Sequence, residues 1–178
     1  MNAVKENKKN IILIGMPGAG KSTVGVILAK VLGMEFIDSD LVIQNETGCL
    51  LRELISRHGL DGFLQIEEEI NCRIKPDRAV IATGGSAVFG EKAMDHFGRI
   101  GKIVYLALSE EDLAGRLGDL DERGVCHREG QDLHDIYVER SVLYEKYADI
   151  TVWEEGRRFD ITAVTEAICR SLTTEETE

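Results

Sequence analysis

Several features that would assign this chain of 178 residues to a special class are missing from it. Its four cysteines are scattered without a C-x-x-C pair, so neither a zinc ribbon nor a redox motif is indicated. No apolar run reaches membrane-spanning length, and residues 1–9 are polar and lysine-rich, without the apolar segment of a signal peptide. There is no proline-rich linker and no internal repeat. We therefore expect a single domain over residues 1–178, no membrane partner and a cytoplasmic location.

Positive charge is also scarce. The chain has 21 lysines and arginines against 32 aspartates and glutamates, for a net charge of −11. A nucleic-acid-binding surface normally shows a basic stripe, so we expect no nucleic-acid partner. A local cluster of arginines can still hold a small anion within an acidic protein.

One glycine-rich segment carries the strongest functional signal. Residues 15–22 read G-M-P-G-A-G-K-S and fit the pattern G-x-x-x-x-G-K-[ST], between an apolar run and a helical run. Glycines let backbone N–H groups point at an anion, and the helix N-terminus adds partial positive charge. Lys21 can reach the β- and γ-phosphates, and the Ser22 hydroxyl is placed to bind Mg²⁺. The pattern predicts that a nucleotide is held by Gly18, Ala19, Gly20, Lys21, Ser22 and Thr23.

Short apolar runs alternate with helical patterns along the rest of the chain. The runs lie at residues 11–14, 35–37, 79–82, 102–108 and 149–153. Strands spaced by helices predict a three-layer α/β fold in which helices flank a five-stranded parallel sheet. Helix ends are predicted at Gly33, Gly48, Gly59 and Gly98, and two later helices at residues 132–147 and 160–172.

The segment 118–131 breaks this rhythm. It has three glycines and little apolar periodicity, although a helical pattern stands on each side of it. A plain loop is one interpretation. A mobile lid that closes over the nucleotide is the other, and Arg123 in its middle favours it.

Two acids follow the second predicted strand in the sequence Asp38-Ser39-Asp40. They could simply cap the next helix, which is predicted to begin near Leu41. In a nucleotide enzyme, one acid can instead hold Mg²⁺ through water while the other accepts a proton from an attacking hydroxyl. Because the carboxyl ends of parallel strands bind ligands, this position favours the second use.

The third predicted strand ends in Thr83-Gly84-Gly85-Ser86. The two glycines could form no more than a turn, or they could let a small polyol approach the backbone closely. Arg123 and Arg140 are candidate cationic groups, although arginines on protein surfaces are commonly solvated.

Together these motifs resemble the shikimate kinase family. The resemblance rests on the phosphate loop, the D-S-D turn, the run from Thr47-Gly48 through Gly59, the segment 63–67, the A-T-G-G motif, Arg123 and R-x-x-L-Y at Arg140. It runs from about Asn10 to Val152. The phosphate loop is widespread, whereas the other motifs in this order are much more specific. The resemblance implies a P-loop kinase fold with a mobile lid at about 118–131 and a substrate-binding helical segment at about 40–75.

The family transfers the γ-phosphoryl group of ATP to the 3-hydroxyl of shikimate in aromatic amino-acid biosynthesis. The resemblance therefore implies ATP, Mg²⁺ and a small hydroxylated acid such as shikimate as partners, and we expect a monomer. It implies catalytic roles for Lys21, Asp40 as base and Arg123, and metal binding by Ser22 and Asp38. It implies substrate binding by Asp40, Gly84, Gly85 and Arg140, and further ATP contacts by Arg116, Arg123 and Arg157.

The chain departs from the family pattern at three places. Leu64 replaces the arginine of the usual F-R-x-x-E, Ser86 replaces a third glycine, and the lid's R-P-L-L reads R-G-V-C at residues 123–126. Since the arginine grips the substrate carboxylate in the family, shikimate binds weakly, is held by another arginine such as Arg52 or Arg57, or is not the acceptor.

Two alternatives follow from these departures. One is a related kinase that acts on another hydroxylated small molecule. The other is a nucleotide-binding regulator that has lost catalysis and uses the lid as a switch. The retained Asp40 argues against the regulator.

Overall fold

The computed structural model describes residues 9–117, 125–153 and 160–175. Its strands are β1 (Asn10–Ile14), β2 (Glu35–Asp38), β3 (Ala79–Ala82), β4 (Gly101–Ala107) and β5 (Ile150–Trp153). Its α-helices are α1 (Lys21–Leu32), α2 (Ser39–Thr47), α3 (Leu51–Asn71), α4 (Glu91–Ile100), α5 (Glu110–Leu117), α6 (Leu133–Tyr147) and α7 (Ile161–Glu175), and a 3₁₀ turn spans Ala87–Phe89.

All five strands are parallel and stand in the order β2-β3-β1-β4-β5. Every residue of β1 and β3 is buried, as the continuous apolar runs in these strands require when helices cover both faces of a sheet. The predicted five-stranded parallel sheet flanked by helices is confirmed. Within the described ranges, no helix is both long and apolar enough to cross a bilayer.

The strand order sets the position of the functional residues. From the central β1 the chain crosses to β2 and β3 on one side and later to β4 and β5 on the other. A crevice forms outside the carboxyl ends of the strands at such a reversal, and α/β proteins bind ligands there. The glycine-rich loop after β1 and the paired glycines after β3 therefore lie at the same edge.

Most of the predicted helix ends are confirmed. Gly33 and Gly48 end α1 and α2 with φ of 62° and 66°, and Gly59 kinks α3 with φ of 69°. The end predicted at Gly98 is wrong, because α4 continues to Ile100. Burial of the neighbouring Phe97 outweighs the roughly 1 kcal/mol that a glycine costs inside a helix. The last helix also runs past its predicted end, to Glu175.

Asn10, the first residue of β1, is bonded to the start of β3 and to the residues that lead into β3 and β4. Its side-chain Nδ2 donates to the carbonyls of Pro76, at 3.1 Å, and Ile100, at 2.9 Å. Its Oδ1 accepts from the backbone N–H of Ala79 at 2.8 Å. Because Asn10 is only 3% exposed, water cannot easily replace these bonds.

Replacing Asn10 by alanine should therefore lower the free energy of unfolding by about 1–3 kcal/mol or more, since buried backbone groups lose their partners. Chemical denaturation measures this loss. Lys9→Ala is the matched control, because Lys9 makes only an exposed ion pair with Asp77 and should change stability by about 0–1 kcal/mol. Equal effects of the two substitutions would contradict the role given to Asn10.

Candidate active site

The phosphate loop (residues 15–20) joins β1 to α1. Gly18 and Gly20 have φ of 80° and 79°, in the left-handed region that favours glycine. This backbone leads directly into α1, whose first residue is Lys21. The first N–H groups of a helix have no partner within it, so this terminus can receive an anion.

Lys21 is buried beneath the loop and 7% exposed. Its Nζ donates to the carbonyls of Gly15, at 2.7 Å, and Met16, at 2.8 Å. Burial lowers the pKa of Lys21 to about 8, and the nearby carboxylate of Asp40 opposes this shift. An ammonium group has three donors, so one remains for a phosphate oxygen.

Asp38 serves both as a helix cap and as a neighbour of the phosphate loop. Its Oδ1 accepts from the backbone N–H groups of Asp40, at 3.0 Å, and Leu41, at 3.4 Å, so Asp38 caps α2, as predicted for one of the two acids. Its Oδ2 accepts from the hydroxyl of Ser22 at 2.7 Å. A hydroxyl and a carboxylate oxygen thus stand together beside the start of α1.

Asp40 lies in the first turn of α2 and lines the cavity described below. Burial raises the pKa of its carboxyl, Asp38 raises it further, and Lys21 opposes the shift. Its Oδ1 is buried without a hydrogen-bond partner among the described residues. A carboxylate with a raised pKa and an unused oxygen is suited to accept a proton from a hydroxyl.

The glycine turn (residues 84–86) is held from several directions. The N–H of Gly84 donates to the Ser39 hydroxyl at 3.2 Å. The carbonyl of Gly85 accepts from Arg140 Nη1 at 3.2 Å and from the Tyr144 hydroxyl at 2.6 Å. Packing requires a glycine at position 85, because a Cβ there would stand 2.6 Å from Pro17 in the phosphate loop.

Arg140 is almost completely buried, with 2% of its surface exposed. Besides Gly85, its guanidinium donates through Nη2 to the carbonyl of Cys126 and lies over the ring of Phe89. Its Nε has no partner among the described residues. The general expectation that an arginine is solvated does not hold for Arg140.

Glu67 is a buried acid that the sequence motifs did not single out for a role. It is 1% exposed, and its Oε2 accepts from the hydroxyl of Ser86 at 2.7 Å. Burial raises the pKa of Glu67 to about 7, although the hydrogen bond from Ser86 opposes this shift. Its Oε1 has no partner in the described part of the chain.

A cavity of about 810 Å³ joins these groups. Its wall contains most of the predicted site residues, namely Gly18, Gly20, Lys21, Ser22, Thr23, Asp40, Gly84, Gly85, Arg116 and Arg140. Ala19 and Asp38 are not part of the wall, although Asp38 bonds to Ser22 there. Arg123, Arg157 and the lid segment up to residue 124 lie outside the described residues, so their roles stay predictions.

The arginines suggested as substitutes for the missing one do not line this cavity. Arg52 and Arg57 are exposed, and the Arg57 guanidinium approaches the Cys49 sulfur. Leu64 is half-buried in an apolar cluster and is not part of the cavity wall either. Arg140 is therefore the cation nearest the glycine turn in the described wall.

Several groups in the site could not be recognised individually from the sequence. Glu67 stands in a run of three glutamates, and only its spacing from Phe63 distinguishes it from Glu68 and Glu69. Tyr144 belongs to the motif R-x-x-L-Y, but nothing in that motif indicates that its hydroxyl bonds to Gly85.

The raised pKa of Glu67 leads us to expect a specific pH dependence of the free energy of unfolding. Its folded pKa lies above the ordinary value of 4.5, so the folded state holds its proton more tightly and loses stability as pH rises from about 4.5 to about 7. Glu67→Gln lacks this contribution. We expect the variant to gain up to about 3 kcal/mol relative to the parent chain across this range, measured by denaturant unfolding at several pH values.

Glu69→Gln, at an exposed position of the same helix, is the control for the loss of one carboxylate. A difference between the Glu67 variant and the parent chain that stays constant with pH would show that Glu67 does not titrate as described.

Comparison with known proteins gives a consistent picture. A family model described as shikimate kinase matches residues 17–172. A shikimate kinase of Thermodesulfovibrio yellowstonii is 39% identical over 151 residues, which cover 83% of this chain and 87% of the relative. A shikimate kinase of Vibrio cholerae is 37% identical over 161 residues, covering 88% of this chain and 91% of the relative.

Solved structures agree with these relatives. The shikimate kinase from Acinetobacter baumannii in complex with shikimate has a TM-score of 0.85 and 30% identity, covering 97% of both chains. The shikimate kinase from Aquifex aeolicus has a TM-score of 0.80 and 28% identity, covering 94% of this chain and 98% of that one. The resemblance read from the motifs, the P-loop kinase fold and the kinase class are thereby confirmed, and this chain belongs to the shikimate kinase family.

Proposed function

We propose that this protein transfers the γ-phosphoryl group of ATP to the 3-hydroxyl of shikimate. The observation that carries the proposal is the single cavity in which the phosphate loop, Asp40, the glycine turn and Arg140 meet. It offers positive groups for phosphates at one end and a carboxylate, open backbone and a guanidinium at the other. Phosphoryl transfer requires this kind of positioning and charge stabilisation more than covalent chemistry.

The nucleotide end consists of the loop backbone and Lys21. Backbone N–H groups at the start of α1 face the position of the phosphates, and Lys21 adds a point charge. Since the Lys21 ammonium is held by two carbonyls, it needs little reorganisation to meet the transferring group. A phosphate beside Lys21 would also favour its charged form, which burial disfavours in the free protein.

The residues beside the loop fit Mg²⁺. Ser22 and Asp38 offer a hydroxyl and a carboxylate oxygen, which are the hard oxygen ligands that this ion prefers. When bound with ATP, the ion neutralises the charge that develops on the phosphates. Asp38 keeps its other oxygen on the backbone of α2, so its carboxylate is already oriented.

At the acceptor end, Asp40 is placed to accept the proton of the attacking hydroxyl. Its burial raises its pKa and so makes it a stronger base than an exposed aspartate. The glycine turn allows the acceptor to approach the backbone, and the Arg140 guanidinium is the group for its carboxylate. The shikimate held in the Acinetobacter baumannii structure supports the same acceptor here.

An acceptor panel tests the proposal. Purified protein is incubated with ATP, Mg²⁺ and shikimate, quinate or an uncharged polyol, and product masses are recorded. We expect ATP-dependent phosphorylation of shikimate above the others. Phosphorylation of another acceptor alone would refute the assignment of shikimate, and ATP hydrolysis without any phosphorylated acceptor would refute the kinase assignment.

A monomeric state and a cytoplasmic location stay predictions.

A second candidate is a kinase for an acceptor without a carboxylate. Leu64 favours it, because this side chain packs into an apolar cluster where the family pattern has an arginine. A charge-assisted hydrogen bond contributes about 1.5–3 kcal/mol, so its loss weakens binding of a carboxylate roughly tenfold to over a hundredfold.

Asp40→Asn should lower kcat by about 10²–10⁴-fold with little change in nucleotide affinity, because asparagine cannot accept the proton. Steady-state kinetics and a nucleotide titration measure the two effects. Asp95→Asn, at an exposed position on α4, is the control. A rise in acceptor KM with kcat unchanged would make Asp40 a positioning group and not the base.

Leu64→Arg distinguishes the two candidates. If shikimate is the acceptor, the variant should lower its KM by roughly tenfold or more, because a second guanidinium would join Arg140 at the carboxylate. Leu64→Gln, which removes the apolar contact without adding charge, is the control. If the acceptor is uncharged, Leu64→Arg should instead depress the native activity by placing an unpaired cation in the site.

A further inference from the structure

The three departures from the family pattern lie close to one another in the structure. Leu64 and Cys126 both pack against one apolar cluster, formed by Ile43, Leu54, Phe63 and Ile70. Cys126 and Ser86 both line the cavity, as does Phe63 of that cluster. Residues from α3, the glycine turn and the end of the lid segment therefore meet beside the acceptor end of the cavity.

The hydroxyl of Ser86 is bonded to the buried carboxylate of Glu67. Ser86 is 6% exposed, and its hydroxyl donates to Glu67 Oε2 at 2.7 Å. A hydroxyl has one proton, and Ser86 uses it to bond to the Glu67 carboxylate. The glycine that the family pattern has at this position has no side-chain donor for Glu67.

Ser86 supplies the one side-chain hydrogen bond that the Glu67 carboxylate receives among the described residues. No other side-chain donor bonds to it in the part of the chain that the structure describes, and its Oε1 has no partner there. An arginine at position 64 would lie three residues earlier on the same face of α3 and could supply donors to Glu67. Leu64 has none to supply.

We propose that Ser86 is a positioning residue for acceptor binding, because its hydroxyl holds the buried carboxylate of Glu67 in a chain that has leucine at position 64. The proposal rests on the function proposed above, since acceptor binding is its principal readout. It assigns to Ser86 a part that neither the family pattern nor the cavity wall alone would give it.

The position of Glu67 explains how Ser86 can act on the acceptor. Glu67 Oε1 and Asp40 Oδ1 lie 2.6 and 2.7 Å from the point where a Cβ on Gly84 would stand. Glu67 also interacts electrostatically with Arg140 and Lys21, which favour its ionised form. Its carboxylate thus stands beneath the turn whose Gly85 carbonyl receives Arg140.

Loss of the Ser86 hydroxyl should disturb this end of the cavity and leave the phosphate loop in place. We expect Ser86→Ala to raise the KM for shikimate about tenfold, with kcat within about threefold and the KM for ATP unchanged. Ser86→Gly is a second variant in case the first folds poorly, and thermal unfolding checks both. Ser56→Ala, at an exposed position on α3, is the matched control. An unchanged shikimate KM in a folded variant would overturn the proposal.

A double-mutant cycle tests whether Ser86 acts through Glu67. In a Glu67→Gln background, Ser86→Ala should change the shikimate KM by less than about twofold, because the carboxylate it positions is already gone. The same tenfold effect in both backgrounds would show that Ser86 acts by filling space, and would overturn the proposal.

A third measurement does not depend on the acceptor. Carbon-13 NMR follows the titration of the Glu67 carboxyl, whose neighbours are Ser86, Asp40, Arg140 and Lys21. Ser86→Ala should raise the pKa of Glu67 above its value of about 7, because it removes the hydrogen bond that lowers it. An unchanged pKa would overturn the link between the two residues. If the parent chain fails to phosphorylate shikimate, the proposed function fails while this titration still decides the link.

Discussion

The site depends on the mutual compensation of three buried charged residues and one that is half-buried. Lys21, Glu67 and Arg140 are buried and Asp40 is half-buried, and an unpaired ion in a protein interior costs several kcal/mol. Burial lowers the pKa of Lys21 and raises the pKa values of Asp40 and Glu67, while the opposite charges counteract these shifts. Removing one charge should therefore shift the pKa values of the neighbouring groups among Lys21, Asp40 and Glu67 as well as break its own contacts.

The sheet provides the frame for this group of charges. Parallel pairing of β1 with β3 places the phosphate loop beside the glycine turn, close enough for Pro17 to occupy the space where a Cβ on Gly85 would stand. Arg140 and Tyr144 reach the Gly85 carbonyl from α6, and Tyr144 stacks on Tyr105 of β4. Elements far apart in the chain thus fix one backbone turn.

Much of the fold and of the site could be predicted from short sequence patterns. Neighbouring residues determine the phosphate loop, the helix ends at Gly33 and Gly48 and the cap at Asp38, so the sequence indicates these features directly. The five strands are indicated by the apolar runs. The helix end predicted at Gly98 is wrong, because burial of Phe97 outweighs the weak preference of glycine for a helix end. The hydrogen bond between Ser86 and Glu67 joins residues nineteen positions apart and depends on packing, so no local sequence pattern predicts it. The same applies to the burial of Arg140, which resembles a surface arginine in sequence.

In the proposed function, the Arg140 guanidinium at the glycine turn recognises the carboxylate of the acceptor. Calorimetric titration of the protein with shikimate and with its uncharged methyl ester tests this most directly. The ester keeps the ring and hydroxyls but loses the charge, so shikimate should bind at least about tenfold more tightly. Equal affinities for the acid and the ester would contradict the claim, because the buried guanidinium would then contribute nothing to the choice of acceptor.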